Sequence, residues 1–138
     1  MHPKIKVYSD GGARGNPGPA AAAFLILSED NKVLNAQSQF LGKRTNNQAE
    51  YEALIAALEA SIQLGAEEIV CHLDSELVCR HLTGEYKVKN VDLRKLWGRV
   101  QELKRCFKRV TYLGVPRTNK YIQEADRLVN ERLDESDN

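Results

Sequence analysis

Hydrophobic and polar positions alternate from Lys4 to Ser9, with Ile5, Val7 and Ser9 on one face and Lys6, Tyr8 and Asp10 on the other. Period-two alternation of this kind predicts a strand with one side turned to a core. Gly11-Gly12 is expected to break that strand, and Arg14-Gly15-Asn16-Pro17-Gly18-Pro19 is dense in turn residues. The apolar run Ala20–Leu27 predicts a second strand, and Asp30-Asn31-Lys32 a hairpin turn into a third over Val33–Leu41. The period then changes. Tyr51, Leu54, Ile55, Leu58 and Ile62 form one apolar stripe of a helix running from Thr45 to Leu64. Thr45 and Gln48 have the spacing of a capping box, and Gly65 marks the stop. A strand over Glu68–Leu73, a short helix over Glu76–Leu82, a long helix over Asp92–Phe107 and a last strand over Arg109–Val115 follow. Ile122, Ala125, Val129 and Leu133 are the stripe of a terminal helix beginning at Thr118 or Asn119.

Three strands, a helix, a strand, two helices, a strand and a helix imply an α/β fold: a mixed sheet with helices on both faces. Strands that follow helices are expected parallel to the first. The 138 residues fit one domain spanning the whole chain, with an acidic tail from Asp134 expected to fray. No apolar run approaches the roughly 20 residues of a membrane span. The segment Met1-His2-Pro3-Lys4 enters the first strand with no apolar leader, and Cys71, Cys79 and Cys106 form no Cys-x-x-Cys pair. A cytoplasmic protein with reduced thiols is therefore expected. The net charge of +1 by itself predicts no polyanion partner; its distribution, ten Lys and Arg against three acids between Arg80 and Arg109, points either to a basic face with a partner or to a solvated helix surface.

Four carboxylates stand out. Asp10 and Asp74 each lie at the C-terminal end of a strand, and in a parallel pair those ends share the edge where open α/β sheets build their sites. Asp10 could also serve a turn, and Asp74 could cap the helix that follows it. Glu50 is expected in the first turn of the first helix, at the border of its stripe, where an acid could also serve only to stabilise the helix dipole. Asp126 projects within the apolar stripe of the last helix, where an acid needs a strong reason, either a functional one or a salt bridge to an Arg. Converging carboxylates repel one another unless cations intervene, and oxygen-only donor sets select magnesium or manganese. Two such ions about 4 Å apart can clamp the attacking and leaving oxygens of a phosphodiester.

Tyr8-Ser9-Asp10-Gly11-Gly12-Ala13-Arg14-Gly15-Asn16-Pro17-Gly18-Pro19, Thr45-Asn46-Asn47-Gln48-Ala49-Glu50, Asp74-Ser75-Glu76 and Asn119…Ala125-Asp126-Arg127-Leu128 resemble, in order and spacing, the type 1 ribonuclease H family. The resemblance runs from about Lys4 to Leu133. It implies a ribonuclease H-like five-stranded sheet in the order 3-2-1-4-5. It also implies endonucleolytic hydrolysis of the RNA strand of RNA–DNA hybrids, leaving 5′-phosphate and 3′-hydroxyl ends. Asp10, Glu50, Asp74 and Asp126 would be both catalytic and metal-binding, holding two Mg2+ or Mn2+ ions. Asp10 would bridge the ions, Asp126 would join it on the one that activates water, and Glu50 and Asp74 on the other. Substrate contacts are implied at Gly11, Gly12, Ala13, Asn16, Thr45, Asn46, Asn47 and Glu76. Amides and carboxylates of this kind can bond the 2′-hydroxyl that distinguishes RNA from DNA. The partner would be the hybrid, bound by a monomer.

The chain also departs from that family. Gly114 stands where many members carry a loop histidine; His72 is expected to be a packed strand residue, and Arg117 is a candidate substrate contact. Only Thr83–Val91 separates the second and third helices, so the basic protrusion of some relatives is absent. Lys87, Lys89, Arg94, Lys95 and Arg99 are left as candidates for backbone binding, and Trp97 is expected in the core. The competing reading is a non-catalytic hybrid-binding module on the same fold. Retention of all four acids argues against it, because a pure binder gains nothing by clustering negative charge against phosphates.

Overall fold

Each segment expected to be a strand forms one. The computed structural model describes residues 2–137, in which β1 (Lys4–Ala13), β2 (Gly18–Ser28), β3 (Val33–Arg44), β4 (Glu68–Leu73) and β5 (Arg109–Gly114) make one sheet ordered β3-β2-β1-β4-β5. The first three strands are an antiparallel meander. β4 runs parallel to β1 and β5 parallel to β4, each after a helical crossover. The helices are α1 (Asn46–Gln63), α2 (Glu76–Leu82), α3 (Val91–Lys104) and α4 (Lys120–Ser136).

Strand alternation sends side chains to two cores. On one face Val7, Ile26, Ile69 and Leu73 pack with Tyr51, Leu54 and Leu58 of α1 and Val100 of α3. On the other, Ala21, Ala23, Leu25 and Leu27 meet Ile122, Ala125, Val129 and Leu133 of α4. Each fully buried large side chain contributes about 1.5–3 kcal/mol, against about 0–1 kcal/mol for an exposed ion pair, so apolar burial docks the helices. Trp97 is half-buried against the first core, as expected. The Thr45 capping box forms: Thr45 Oγ1 accepts from Gln48 N at 3.2 Å, and Gln48 Oε1 accepts from Thr45 N at 2.8 Å. The face of α1 nearest the sheet is built of small residues, Ala49, Ala53, Ala57 and Ser61, all fully buried. Ile55 and Ile62, read as part of the main stripe, are half-buried at its flank.

Gly11-Gly12 does not end the first strand. β1 continues to Ala13, with Gly11 opposite Ala22 and Gly12 opposite Ala21. These glycines serve close packing: a Cβ at Gly11 would lie 2.2 Å from the carbonyl carbon and oxygen of Ala49, so their absence lets α1 rest on the strand. The acidic tail is ordered through its first residues. α4 stays helical to Ser136, and Arg14 pairs with Asp134 at 2.6 Å and with Asp137 at 3.0 Å. α3 stops at Lys104 rather than Phe107, and Phe107 folds back into the core.

Candidate active site

Tyr8 of β1 is in register with His72 of β4, so Asp10 and Asp74, two residues further on, come level at one edge of the sheet. Asp10 is only 5% exposed. Asp74 has no capping role, since Ser75 caps α2, its Oγ accepting from Val78 N at 3.3 Å. The buried Asp74 carboxylate instead accepts from Arg117 Nε at 3.2 Å. Glu50 stands past the first turn of α1, so stabilising the helix dipole is not its role. It reaches back to β1, where Gly11 N donates to Glu50 Oε1 at 3.0 Å. Its other oxygen, Oε2, is buried with no hydrogen-bond partner.

Carboxylate oxygens of Asp10, Glu50 and Asp74 lie within 4.8 Å of one another. Burial, with the charges of Asp74 and Asp126 adding to it, pushes the Asp10 carboxyl up to about 7 despite an opposing hydrogen bond with Glu50. Burial first, then the charges of Asp10 and Asp74, hold Glu50 well above the ordinary carboxylate range. The cluster therefore needs protons or cations at neutral pH. A hard divalent ion fits its all-oxygen donor set and the orphaned Glu50 Oε2.

Asp126 requires a correction. It does not interrupt the buried stripe of α4: Ile122, Ala125 and Val129 take the buried positions, and Asp126 is exposed. It stands at the margin of the stripe, where α4 leaves the sheet and opens onto the cleft. That cleft, about 380 Å3 in volume, is lined by all four acids and by Gly11, Gly12, Ala13, Asn46, Asn47 and Arg117. Three other expected contacts lie beside it. Asn16 Oδ1 accepts from Asn46 N at 2.9 Å, Thr45 caps α1, and Glu76 pairs with Arg80 at 2.7 Å.

A family model described as reverse transcriptase-like matches residues 8–132. The chain is 44% identical to a Mycobacterium tuberculosis protein named as bifunctional, over 95% of this chain and 36% of that one; it thus spans about a third of that relative's length. The crystal structure of RNase H1 from the halophilic archaeon Halobacterium salinarum superposes with a TM-score of 0.92 at 42% identity, covering 96% of this chain and 98% of that one. The chain belongs to the type 1 ribonuclease H family. Another member, LC11-RNase H1, solved in complex with an RNA/DNA hybrid, matches with a TM-score of 0.90 at 38% identity, covering 97% and 99% of the two chains.

Within this ribonuclease H fold, no histidine lines the cleft among the described residues. His72 is packed as expected, stacked on Tyr8 at 4.1 Å with Nδ1 2.9 Å from Val7 O. His81 is buried with Nδ1 2.8 Å from the Tyr51 hydroxyl. Only residues 83–90 link α2 to α3, so no protrusion is present. Of the basic candidates, Arg94 is committed to the carbonyl of Val88 at 3.2 Å, and Arg99 pairs with Glu59 at 3.2 Å. Lys87, Lys89 and Lys95 are exposed. Sequence reasoning missed Arg14, Ser75 and Asn130 as lining residues. Asn130 was detectable, since it lies one helical turn beyond Asp126; Arg14 was hidden inside a segment dominated by turn residues.

Proposed function

We propose that the protein is an endoribonuclease that hydrolyses the RNA strand of RNA–DNA hybrids with the help of two divalent ions, Mg2+ or Mn2+, leaving 5′-phosphate and 3′-hydroxyl ends. The observation that carries this reading is the convergence of Asp10, Glu50 and Asp74 within 4.8 Å at one sheet edge. A solved relative bound to an RNA/DNA hybrid supports the choice of substrate. Asp10, whose carboxyl interacts with those of Glu50, Asp74 and Asp126, would be the shared ligand. Asp126 would complete one ion's site, and Glu50 with Asp74 the other's. When bound, the ions supply Lewis acidity for the attacking water and charge neutralisation at the leaving oxygen.

The chain's own residues orient the substrate. Gly11 N–H fixes Glu50 against β1. Asn16 and Asn46, linked at 2.9 Å, present amide groups beside the cleft, where a 2′-hydroxyl can be bonded. Exposed Arg117 reaches from Asp74 toward solvent, in position for a phosphate. The acids also weigh against a purely binding role, since uncompensated they would repel the backbone they are meant to hold. A cytoplasmic monomer is the proposed working form, consistent with three unpaired thiols.

The test is cleavage of an end-labelled RNA–DNA hybrid by the purified protein. Metal-dependent cutting of the RNA strand alone, abolished by chelator and restored by added Mg2+ or Mn2+, is expected. Absence of cutting with both Mg2+ and Mn2+ overturns the reading.

A further inference from the structure

The turn between β1 and β2 is held from two sides. Toward α1, Asn16 Oδ1 accepts from Asn46 N at 2.9 Å, and Asn46 Oδ1 accepts from Ala13 N at 2.8 Å. Toward α4, the Arg14 guanidinium donates to Asp134 Oδ1 at 2.6 Å, to Asp137 Oδ2 at 3.0 Å and to the backbone oxygen of Asn130 at 3.4 Å. The turn itself is tight: Arg14 N donates to Pro19 O at 2.8 Å, and a Cβ at Gly18 would lie 2.2 Å from Arg14 O. Movement of the Arg14 backbone is therefore passed on to Asn16. Asp126, Asn130, Asp134 and the C-cap Asp137 recur at helical spacing, so one face of α4 and its C-cap offers a carboxylate to the acid cluster and two more to Arg14. A single guanidinium thus ties the turn that carries Asn16 to the helix that carries Asp126.

The geometry points to Arg14 as a positioning residue for the substrate: pinned by Asp134 and Asp137, it fixes the turn from Ala13 to Asn16, and with it the Asn16–Asn46 pair, at a set distance from Asp126. The inference rests on the nuclease reading above for its functional consequence. The clamp is a surface device, with side chains 38% exposed at Arg14, 69% at Asp134 and 59% at Asp137, so it adds little to global stability. Its effect is local, on how long the turn stays closed. A competing role is direct: the hybrid's phosphate could draw Arg14 away from the two acids. The two roles predict opposite effects of removing the acids.

The experiment compares Arg14→Ala, the double variant Asp134→Asn/Asp137→Asn, and Arg14→Lys. Amide hydrogen exchange is read at Ala13 and Asn46 in the hybrid-free protein, and steady-state cleavage of a labelled hybrid is measured alongside thermal unfolding. Arg14→Ala and the acid variant are both expected to speed exchange at those amides, to raise KM by about three- to tenfold, to leave kcat within about twofold, and to shift Tm by no more than about 4 °C. Arg14→Lys, which retains the charge, restores part of the KM. Unchanged exchange at Ala13 and Asn46 overturns the clamp whether or not the protein cuts hybrids; failure of the nuclease reading shows separately, as no metal-dependent cleavage by the unsubstituted protein. A lower KM in the acid variant beside a higher one in Arg14→Ala makes Arg14 a direct phosphate ligand and overturns the positioning role. A fall in Tm with KM unchanged reduces the clamp to a structural strap and overturns it as well.

Discussion

Replacing Asp10 by Asn is expected to abolish cleavage while stabilising the metal-free protein. The magnitude follows from the environment of Asp10. Its carboxyl, ordinarily near 3.8, is pushed up to about 7, chiefly by burial. The folded state thus binds this proton more tightly than the unfolded chain, and folding is linked to proton uptake between those two values. The sign is that of a raised acid. The contribution is negligible below about pH 4, grows more destabilising as pH rises, and is nearly complete above about pH 7. At 1.36 kcal/mol per pH unit it reaches about 4 kcal/mol at pH 8, and water entering the open cleft brings it to about 2–4 kcal/mol. Asn at position 10 carries no charge and escapes that destabilisation.

The assay is urea or thermal unfolding in chelator, for both proteins, from about pH 4 to about pH 8. The two curves should meet at the acid end, with the unsubstituted protein falling below the variant by about 2–4 kcal/mol, or about 10 °C in Tm, at the alkaline end. Millimolar Mg2+ should then raise the unsubstituted protein and leave the variant nearly unmoved, because ligand bound only to the folded state stabilises it by mass action. Hybrid binding should persist in the variant. An Asn variant less stable than the parent at pH 8, or a gap independent of pH, would refute the account of the cluster as a strained, cation-seeking group.

Two other substitutions probe the scaffold and the cleft rim. Gly11→Ala forces a Cβ to within 2.2 Å of the Ala49 backbone, so α1 must lift from β1; a loss of about 2–3 kcal/mol in urea unfolding and a weakened response to Mg2+ are expected, and native values for both would show that the contact yields freely. Arg117→Ala removes an exposed cation from the rim. It should weaken hybrid binding about fivefold at low salt and lower the slope of log K against log salt by about one, and an unchanged slope would remove Arg117 from the phosphate contacts.

Strands and helices were legible because their periods differ and their caps are local: Thr45 and Gln48 signal the start of α1 without help from the rest of the chain. Asp10 and Asp74 were legible as a pair because parallel strands bring like ends together. The role of Gly11-Gly12 was not. A glycine pair reads locally as a break, and only the position of Ala49 on α1, nearly forty residues away in sequence, shows it to be a packing surface. Asp126 was singled out for a reason the structure does not support. Its periodicity places it within an apolar stripe, whereas it lies at the edge, exposed, because helical periodicity locates a residue only to within a sector of the helix. The ordered tail was missed because the partner of Asp134 and Asp137 is Arg14, at the far end of the chain.

The acid cluster straddles the sheet. Glu50 comes from the helical layer on one face, Asp126 from the layer on the other, and Asp10 from the strand between them. An ion shared by Asp10 and Asp126 would join positions 116 residues apart in the chain. In polymer terms it would be a reversible crosslink closing a loop nearly as long as the whole molecule, the length at which closure removes the most entropy from the unfolded chain. Its binding site would exist only when both layers are docked, so occupancy would report completed topology and not local order. Chelation would then cut one of the molecule's longest ties, leaving α4 held by its buried stripe and by the Arg14 pairs with Asp134 and Asp137, which span the chain further still.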